Sequence, residues 1–234
     1  MMTSNRRKIK GVIFDLDETI ISSLETYTEA FNRGTRTFGL EPVTEEKIAH
    51  FLDEGYRLSK MLLELFSSVF QDDRNRQACE DEIRKAYTEL EALKVLLKPE
   101  VRRTLQSLKE RGLKIGIVTG RMTKGERKWR ELRRLNIHHF IDAMVTAAEA
   151  PAKPAPDGLI KCIKELGLSV EECVFVGDSR GDVIAGTRAG VRTVAVQTGV
   201  AGKELLVEQG PDYVLADLNL LLSYLDELQK PEEV

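Results

Sequence analysis

The chain has 234 residues, of which 42% are hydrophobic and 31% are charged. This length and composition fit one sizeable α/β domain, or a domain carrying a smaller second one, and they exclude a largely disordered chain. The 35 basic and 38 acidic residues leave a formal net charge of -3, which is too balanced to indicate a nucleic-acid or membrane partner.

The three cysteines, Cys79, Cys162 and Cys173, are widely spaced and form no CxxC pattern. Neither a disulfide framework nor a zinc site is indicated, so we expect a reducing compartment. The basic stretch NRRKIK precedes an apolar run of only about four residues, far short of a signal-peptide core or a membrane span. We therefore expect a cytoplasmic protein.

Six short apolar runs along the chain are typical of buried β-strands. They lack clear alternation of apolar and polar residues, which favours parallel strands covered on both faces. The runs are residues 9–14, 114–118, 141–145, 173–176, 192–196 and 213–215. Helical stretches alternate with them at residues 124–135, 156–166, 182–189 and 218–228. This alternation predicts an α/β fold with a Rossmann-like, doubly wound parallel sheet.

One interval, from Ser22 to Lys98, breaks this alternation because it shows helical periodicity and no convincing strand. Its strongest helix candidate covers residues 72–97, which are rich in Glu, Lys, Arg, Ala and Leu. Ordinary crossover helices are the alternative, but a crossover needs only about a dozen residues and this interval is many times longer. We predict an α/β hydrolase core formed by residues 1–21 and 99–234, and an inserted all-helical cap domain formed by residues 22–98.

Polar side chains follow four of the predicted strands, at the sheet edge where ligands collect in open parallel sheets. They are Asp15 and Asp17 after the first strand, Thr119 and Gly120 after KIGIV, Lys153 in AKPAPDG, and Asp178 and Asp182 after CVFVG. Gathered carboxylates repel each other by roughly 4 kcal/mol per pair at about 4 Å and an effective dielectric of ~20. They therefore need a counter-charge, which Mg²⁺ with oxygen ligands supplies, and Lys153 neutralises part of the remainder.

The same residues predict a phosphate site. The metal ion, the Thr119 hydroxyl, the Gly120 amide and the Lys153 ammonium can each bind a phosphate oxygen. A carboxylate can attack phosphorus to give an acyl phosphate, and a second one can protonate the leaving oxygen and then deprotonate water. Asp15 and Asp17 suit these two tasks because residues two apart project to the same side of a regular strand.

Four stretches, FDLDETI, IVTG, AKPAPDG and VFVGDSRGD, resemble in this order the four motifs of the haloacid dehalogenase superfamily of phosphohydrolases. The resemblance runs from about residue 9 to residue 196 and depends on all four motifs together. It implies that Asp15 is the nucleophile and Asp17 the general acid and base. It also implies that Thr119 and Lys153 contact the phosphate.

The resemblance further implies a metal held by Asp15, the backbone carbonyl of Asp17, and Asp178. Asp182, the second acid of the fourth motif, would support the metal-bound waters or Lys153. The helical insert resembles the cap of phosphoglycolate phosphatase-like and β-phosphoglucomutase-like members, which closes to exclude bulk water and opens to release product. Around Gly55, the residues Tyr56 and Arg57 resemble the substrate-specificity loop of such caps.

Simpler roles remain open for several of these residues. Thr119 and Gly120 also suit an ordinary turn, and Asp178 and Asp182 suit the cap of the following helix. Tyr56 and Arg57 also suit an exposed turn. Glu18 departs from the family pattern, because glycine is most common between the second aspartate and the threonine of the first motif.

The resemblance implies an Mg²⁺-dependent phosphatase that hydrolyses a small phosphomonoester metabolite, phosphoglycolate-like or sugar-phosphate-like, through an aspartyl-phosphate on Asp15. A phosphomutase of the same superfamily is one alternative. A non-catalytic phospho-acceptor switch or binding module is another, and the long helical insert argues against it. Haloacid dehalogenation is disfavoured because it needs neither a metal nor the acid that Asp17 supplies. The natural substrate and the oligomeric state stay open.

Overall fold

The computed structural model of the protein describes residues 8–230. Its strands are β1 (Gly11–Phe14), β2 (Ile21–Ser22), β3 (Leu96–Leu97), β4 (Lys114–Thr119), β5 (Ala143–Thr146), β6 (Cys173–Gly177), β7 (Arg192–Val196) and β8 (Tyr213–Leu215). Its α-helices are α1 (Leu24–Arg36), α2 (Glu45–Asp53), α3 (Leu58–Leu65), α4 (Ser67–Phe70), α5 (Asp73–Lys94), α6 (Val101–Glu110), α7 (Glu126–Arg134), α8 (Asp157–Glu165), α9 (Arg180–Ala189), α10 (Lys203–Glu208) and α11 (Leu221–Gln229). Short 3-10 helices cover His138–Phe140, Val170–Glu172 and Leu218–Leu220.

Six strands form one sheet in the order β5-β4-β1-β6-β7-β8, with neighbouring strands parallel. Phe14 at the end of β1 lies level with Ile117 of β4 on one side and with Val176 of β6 on the other. The consecutive residues Val12, Ile13 and Phe14 point to alternating faces, and each is 0% exposed. Both faces of the central strand are therefore covered, as the uninterrupted apolar run predicts.

The order of the strands determines where the sheet can bind a ligand. From β1 the chain adds β4 and β5 on one side, and later β6, β7 and β8 on the other. In such a doubly wound sheet the crevice lies outside the carboxyl ends of the strands where the order reverses, here β4, β1 and β6. The predicted fold class, an α/β Rossmann-like doubly wound parallel sheet with an inserted helical segment, is confirmed.

The structure corrects the sequence-based elements in the inserted interval. The long helix predicted over residues 72–97 ends at Lys94, because Val95 takes an extended conformation and β3 follows. The prediction of no strand between residues 22 and 98 is therefore wrong, since β2 ends at Ser22 and β3 begins at Leu96. Strands of two residues are too short to produce a recognisable alternation. The helices α6 and α10 were not predicted.

The chain divides into two compact units, one formed by Met1–Ile20 with Leu97–Val234 and the other by Ile21–Leu96. The predicted boundaries, residues 1–21 and 99–234 against residues 22–98, lie next to these divisions, and the role of the second unit as a cap stays a prediction. Within the helical unit, α1 and α5 approach closely at Gly34. A Cβ at this position would lie 2.3 Å from Cγ1 of Ile83, so only glycine fits.

The apolar core of the helical unit is built from residues of α1 to α5: Phe31, Ile48, Phe51, Met61, Leu62, Phe70, Cys79 and Ile83. The three cysteines of the chain are all buried free thiols. Over residues 8–230, no helix has both the length and the apolar character that crossing a membrane requires.

Candidate active site

The carboxyl ends of β4, β1 and β6 bring three predicted site residues to one edge of the sheet. Asp15 directly follows β1, Thr119 is the last residue of β4, and Asp178 directly follows β6. The backbone N–H of Asp15 donates to the carbonyl oxygen of Val176 at 2.8 Å, so the pairing of β1 with β6 continues into the site. All three polar residues are buried. Their positions therefore follow from the strand register and not from flexible loops.

The ammonium group of Lys153 joins two buried carboxylates. Lys153 lies between β5 and α8, and its Nζ contacts Oδ1 of Asp15 and lies 2.5 Å from Oδ1 of Asp182. It also donates to the carbonyl oxygen of Val118 at 3.3 Å. Burial disfavours the charged form of Lys153, but the two carboxylates outweigh burial and raise its pKa above the ordinary value. The lysine is therefore a fixed positive charge in the site.

Burial raises the pKa of two acids at this edge, Asp178 and Asp15. The pKa of Asp178 rises from its ordinary value of 3.8 to about 7, first because of burial and then because of the charge of Asp182, while the hydrogen bond from Thr19 opposes the rise. The pKa of Asp15 also rises well above 3.8, with burial as the largest cause and the charge of Lys153 opposing it. Carboxyl groups perturbed in this way are typical of functional sites.

Asp178 and Asp182 have different hydrogen-bond partners. Oδ1 of Asp178 accepts from the Thr19 hydroxyl at 2.7 Å, and its Oδ2 accepts from the Val200 N–H at 3.0 Å. Oδ2 of Asp182 accepts from the Ser179 hydroxyl at 2.6 Å, and these two residues form the capping box of α9, with Ser179 as N-cap. Asp182 therefore caps the helix as well as pairing with the lysine, whereas Asp178 does not cap it.

Two glycines leave the space that these carboxylates occupy. A Cβ at Gly199 would lie 1.8 Å from Oδ2 of Asp178, and a Cβ at Gly177 would lie 2.4 Å from the Cβ of Asp182. A side chain at either position would displace an acid of the site. Gly120 is different, because it is exposed and a Cβ there meets no heavy atom within 4 Å.

Asp17 pairs with a different cation, Arg121. Nε of Arg121 donates to Oδ2 of Asp17 at 3.0 Å, and Nη2 donates to Oδ1 at 2.8 Å. The hydroxyl of Thr119 donates to Oδ2 of the same carboxylate at 3.4 Å. The remaining end of the guanidinium, Nη1, contacts Oε2 of Glu131 on α7. The two aspartates of the first motif are thus held by separate cations.

Asp15, Asp178 and Asp182 form a group that could hold a metal ion. One carboxylate oxygen from each lies within 4.8 Å of the others, and all three residues are buried. Carboxylate oxygens are ligands that hard divalent cations such as Mg²⁺ prefer. Asp15 and Asp178 also belong to the predicted ligand set, whereas Asp182 does not. The side chain of Asp17 is outside it, and the ligand role predicted for the Asp17 carbonyl stays a prediction.

Tyr56 and Arg57 lie in the helical unit, directly before α3. Arg57 is exposed and is the N-cap residue of this helix, and the ring of Tyr56 lies 3.7 Å from Nζ of Lys60. The role of Tyr56 and Arg57 in substrate specificity stays a prediction. Phosphate binding by Gly120, the first residue of the loop between β4 and α7, also stays a prediction.

Four residues that shape the site were not assigned a role from the sequence: Thr19, Arg121, Glu131 and Gly199. Two of them had a signal in the sequence, because Thr19 belongs to the first motif and Arg121 directly follows IVTG. Glu131 gave no signal because most of its neighbours in α7 are also charged, as in a helix face exposed to solvent. Gly199 has no sequence signal, because its closeness to Asp178 depends on the path of a loop.

Comparisons with known proteins bear on the family and on the fold. The model of the family described as haloacid dehalogenase-like hydrolase matches residues 12–196. Pyrophosphatase PpaX of Bacillus cereus (strain AH820) is 29% identical over 230 residues, which cover 95% of this chain and 99% of that protein. Phosphoglycolate phosphatase of Aquifex aeolicus (strain VF5) is 28% identical over 219 residues, which cover 93% of this chain and 97% of that protein.

A solved structure described as a "predicted phosphoglycolate phosphatase from haemophilus somnus 129pt" superposes with a TM-score of 0.84 at 23% identity, covering 93% of this chain and 98% of that one. This likeness supports the fold. The predicted resemblance and enzyme class, a phosphatase-type hydrolase, are confirmed by the matches together. Because the matched span contains all four motifs and each acid at the sheet edge, the chain belongs to the family of haloacid dehalogenase-like hydrolases.

Proposed function

We propose that the protein is an Mg²⁺-dependent phosphatase that hydrolyses a small phosphorylated metabolite through an aspartyl-phosphate on Asp15. The observation that carries this proposal is the buried group at the ends of β1 and β6, in which Asp15 contacts Lys153 and shares a potential metal site with Asp178 and Asp182. A nucleophile, a cation for the phosphate and a metal-binding carboxylate set are thus within one small volume.

The residues present fit a divalent cation. Three buried carboxylates, Asp15, Asp178 and Asp182, face the single ammonium of Lys153, so two negative charges are left over when all three acids are ionised. The raised pKa values of Asp15 and Asp178 reflect this imbalance together with burial. Bound Mg²⁺ would offset the excess charge and polarise a phosphate oxygen.

The chemistry that we assign to the chain begins with an oxygen of the Asp15 carboxylate. It attacks phosphorus, the bond from phosphorus to the ester oxygen breaks, and Asp17 donates a proton to the departing oxygen. Asp17, now a carboxylate, then takes a proton from water and the water oxygen attacks phosphorus. The bond from phosphorus to the Asp15 oxygen breaks, and inorganic phosphate leaves with the Asp15 carboxylate regenerated. Lys153 and Thr119, with the backbone N–H of Gly120, contact the phosphate oxygens throughout.

The relatives suggest which substrates to test. Their names, pyrophosphatase and phosphoglycolate phosphatase, favour small, highly charged phosphates, so inorganic pyrophosphate stands beside phosphoglycolate and the sugar phosphates as a candidate. Specificity within this class is the role that we propose for Tyr56 and Arg57 of the helical unit. A reducing compartment, with the cytoplasm as the simplest case, suits the three buried free thiols.

A phosphate-release screen of these compounds, with and without Mg²⁺, tests the proposal. The Asp15→Asn variant is expected to lose activity by at least about 10³-fold, because the nucleophile is gone. Asp81→Asn, the same change at an exposed position outside the four motifs, is the matched control and is expected to keep the parent rate. Parent-like turnover by Asp15→Asn would overturn the proposal, as would a phosphorylated Asp15 that forms without turnover. Interconversion of sugar-phosphate isomers without phosphate release would identify a mutase instead.

A further inference from the structure

Arg121 fixes the Asp17 carboxylate by a two-point contact. Nη2 lies 2.8 Å from Oδ1, and Nε lies 3.0 Å from Oδ2 and 3.3 Å from Oδ1. A guanidinium that binds both oxygens of a carboxylate sets the orientation of its plane as well as its position. The hydroxyl of Thr119, 3.4 Å from Oδ2, supports the same side of the group.

Arg121 is itself oriented by a buried acid. Its Nη1 contacts Oε2 of Glu131, whose side chain is only 8% exposed on α7. A carboxylate is costly to bury unless an opposite charge accompanies it, so the burial of Glu131 is linked to the presence of Arg121. The backbone N–H of Arg121 also donates to Oγ1 of Thr119 at 3.2 Å. The arginine is thus fixed at its backbone, at one Nη atom and at Asp17.

This arrangement separates the two aspartates of the first motif, Asp15 and Asp17. Asp15 is held by Lys153 on the side of the metal-binding carboxylates, and Asp17 is held by Arg121 on the side of β4. Two neighbouring carboxylates that shared one cation would compete for it, and their positions would be coupled. With separate cations, each is held for its own task.

We propose that Arg121 is a positioning residue that, oriented by Glu131, aims the Asp17 carboxyl group at the oxygen leaving the phosphorus. The proposal rests on the proposed function, in which Asp17 protonates that oxygen. The competing explanation is that the ion pair only ties the loop of residues 120–125 to α7.

The dependence of rate on the leaving group separates these explanations. An ester with a poor leaving group, such as an alkyl phosphate, needs a correctly placed acid, whereas 2,4-dinitrophenyl phosphate expels a stable anion without one. The ratio kcat/KM covers the steps up to departure of the leaving group, so hydrolysis of the aspartyl-phosphate does not enter it. General acid catalysis is worth about 10²- to 10⁴-fold, and a misplacement of about 1 Å costs about 10²-fold.

For Arg121→Lys we expect kcat/KM to fall about 100-fold with an alkyl phosphate and less than about 3-fold with 2,4-dinitrophenyl phosphate. Glu131→Gln should show the same pattern to a smaller degree, and it provides the test if the lysine variant does not fold. Arg133→Lys, on the same helix in an exposed pair with Glu126, is the matched control and should leave both rates unchanged.

An equal loss of kcat/KM with both esters would overturn the inference, because it would indicate a phosphate contact or a disordered loop. Unchanged rates for both Arg121→Lys and Glu131→Gln would overturn it as well. A parent enzyme that released phosphate from neither ester would instead contradict the proposed function, so the two failures are distinguishable.

Discussion

Replacing Asp178 by asparagine is expected to stabilise the metal-free protein at alkaline pH. A pKa of about 7 in the folded state against an ordinary value of 3.8 means that the ionised carboxylate costs about 4 kcal/mol of folding free energy. Asparagine removes the charge and still accepts from Thr19, but its amide presents a donor where Val200 N–H needs an acceptor, which costs about 1–3 kcal/mol. The net expectation at pH 8 is a gain of about 1–3 kcal/mol.

The pH dependence of this gain gives the sharper test. Because the folded protein holds the proton of Asp178 more tightly than the unfolded chain does, stability falls as pH rises from about 4 to about 7. At pH 5 the cost of the carboxylate is only about 2 kcal/mol, whereas the lost hydrogen bond costs the same as at pH 8. The advantage of Asp178→Asn should therefore shrink by about 2–3 kcal/mol between pH 8 and pH 5.

Urea denaturation in excess EDTA at pH 5, 6, 7 and 8 measures this difference. Asp81→Asn, at an exposed position outside the four motifs, serves as the control and should show no such trend. An advantage of Asp178→Asn that is the same at pH 5 and pH 8, or that grows toward pH 5, would refute the reasoning about the buried charge.

Two further predictions concern the same cluster. Mg²⁺ at 100 times its dissociation constant should stabilise the parent protein by about 2.7 kcal/mol, and EDTA should reverse the effect. A melting temperature that does not change when Mg²⁺ is added would contradict the metal site. Gly177→Ala should cost about 1–3 kcal/mol of stability because its Cβ would lie 2.4 Å from the Cβ of Asp182. Gly120→Ala, whose Cβ meets nothing within 4 Å, should denature like the parent, and equal urea midpoints for the two variants would count against the crowding argument.

The sheet was predictable because parallel strands buried on both faces leave uninterrupted apolar runs in the sequence. The bounds of β7 and β8 are those predicted, and β1, β4 and β6 differ by a few residues at most. The helix α10 was not predicted because its six residues cover less than two turns, which is too short for a helical periodicity to show. The helix α6 was also missed, although Val101, Leu105 and Leu108 recur at helical spacing and are buried.

The gathering of the site residues was predictable from topology, whereas their pairing was not. Motif order places Asp15, Asp178 and Lys153 at one edge of the sheet. Which cation each acid takes depends on side-chain rotamers and on the loop that leads to α7, and neither leaves a pattern in the sequence. For this reason the contact of Arg121 with Asp17 emerged only from the structure.

The central place of β1 has a consequence for synthesis of the protein. Because β1 pairs with β4 from residue 114 and with β6 from residue 173, the strand that carries Asp15 has no partner until residue 114 leaves the ribosome. The helical unit, by contrast, is one continuous segment, Ile21–Leu96, so its internal contacts need no later part of the chain. Until residue 173 follows, the nascent chain carries an apolar strand with an open edge, the kind of surface on which chaperones act.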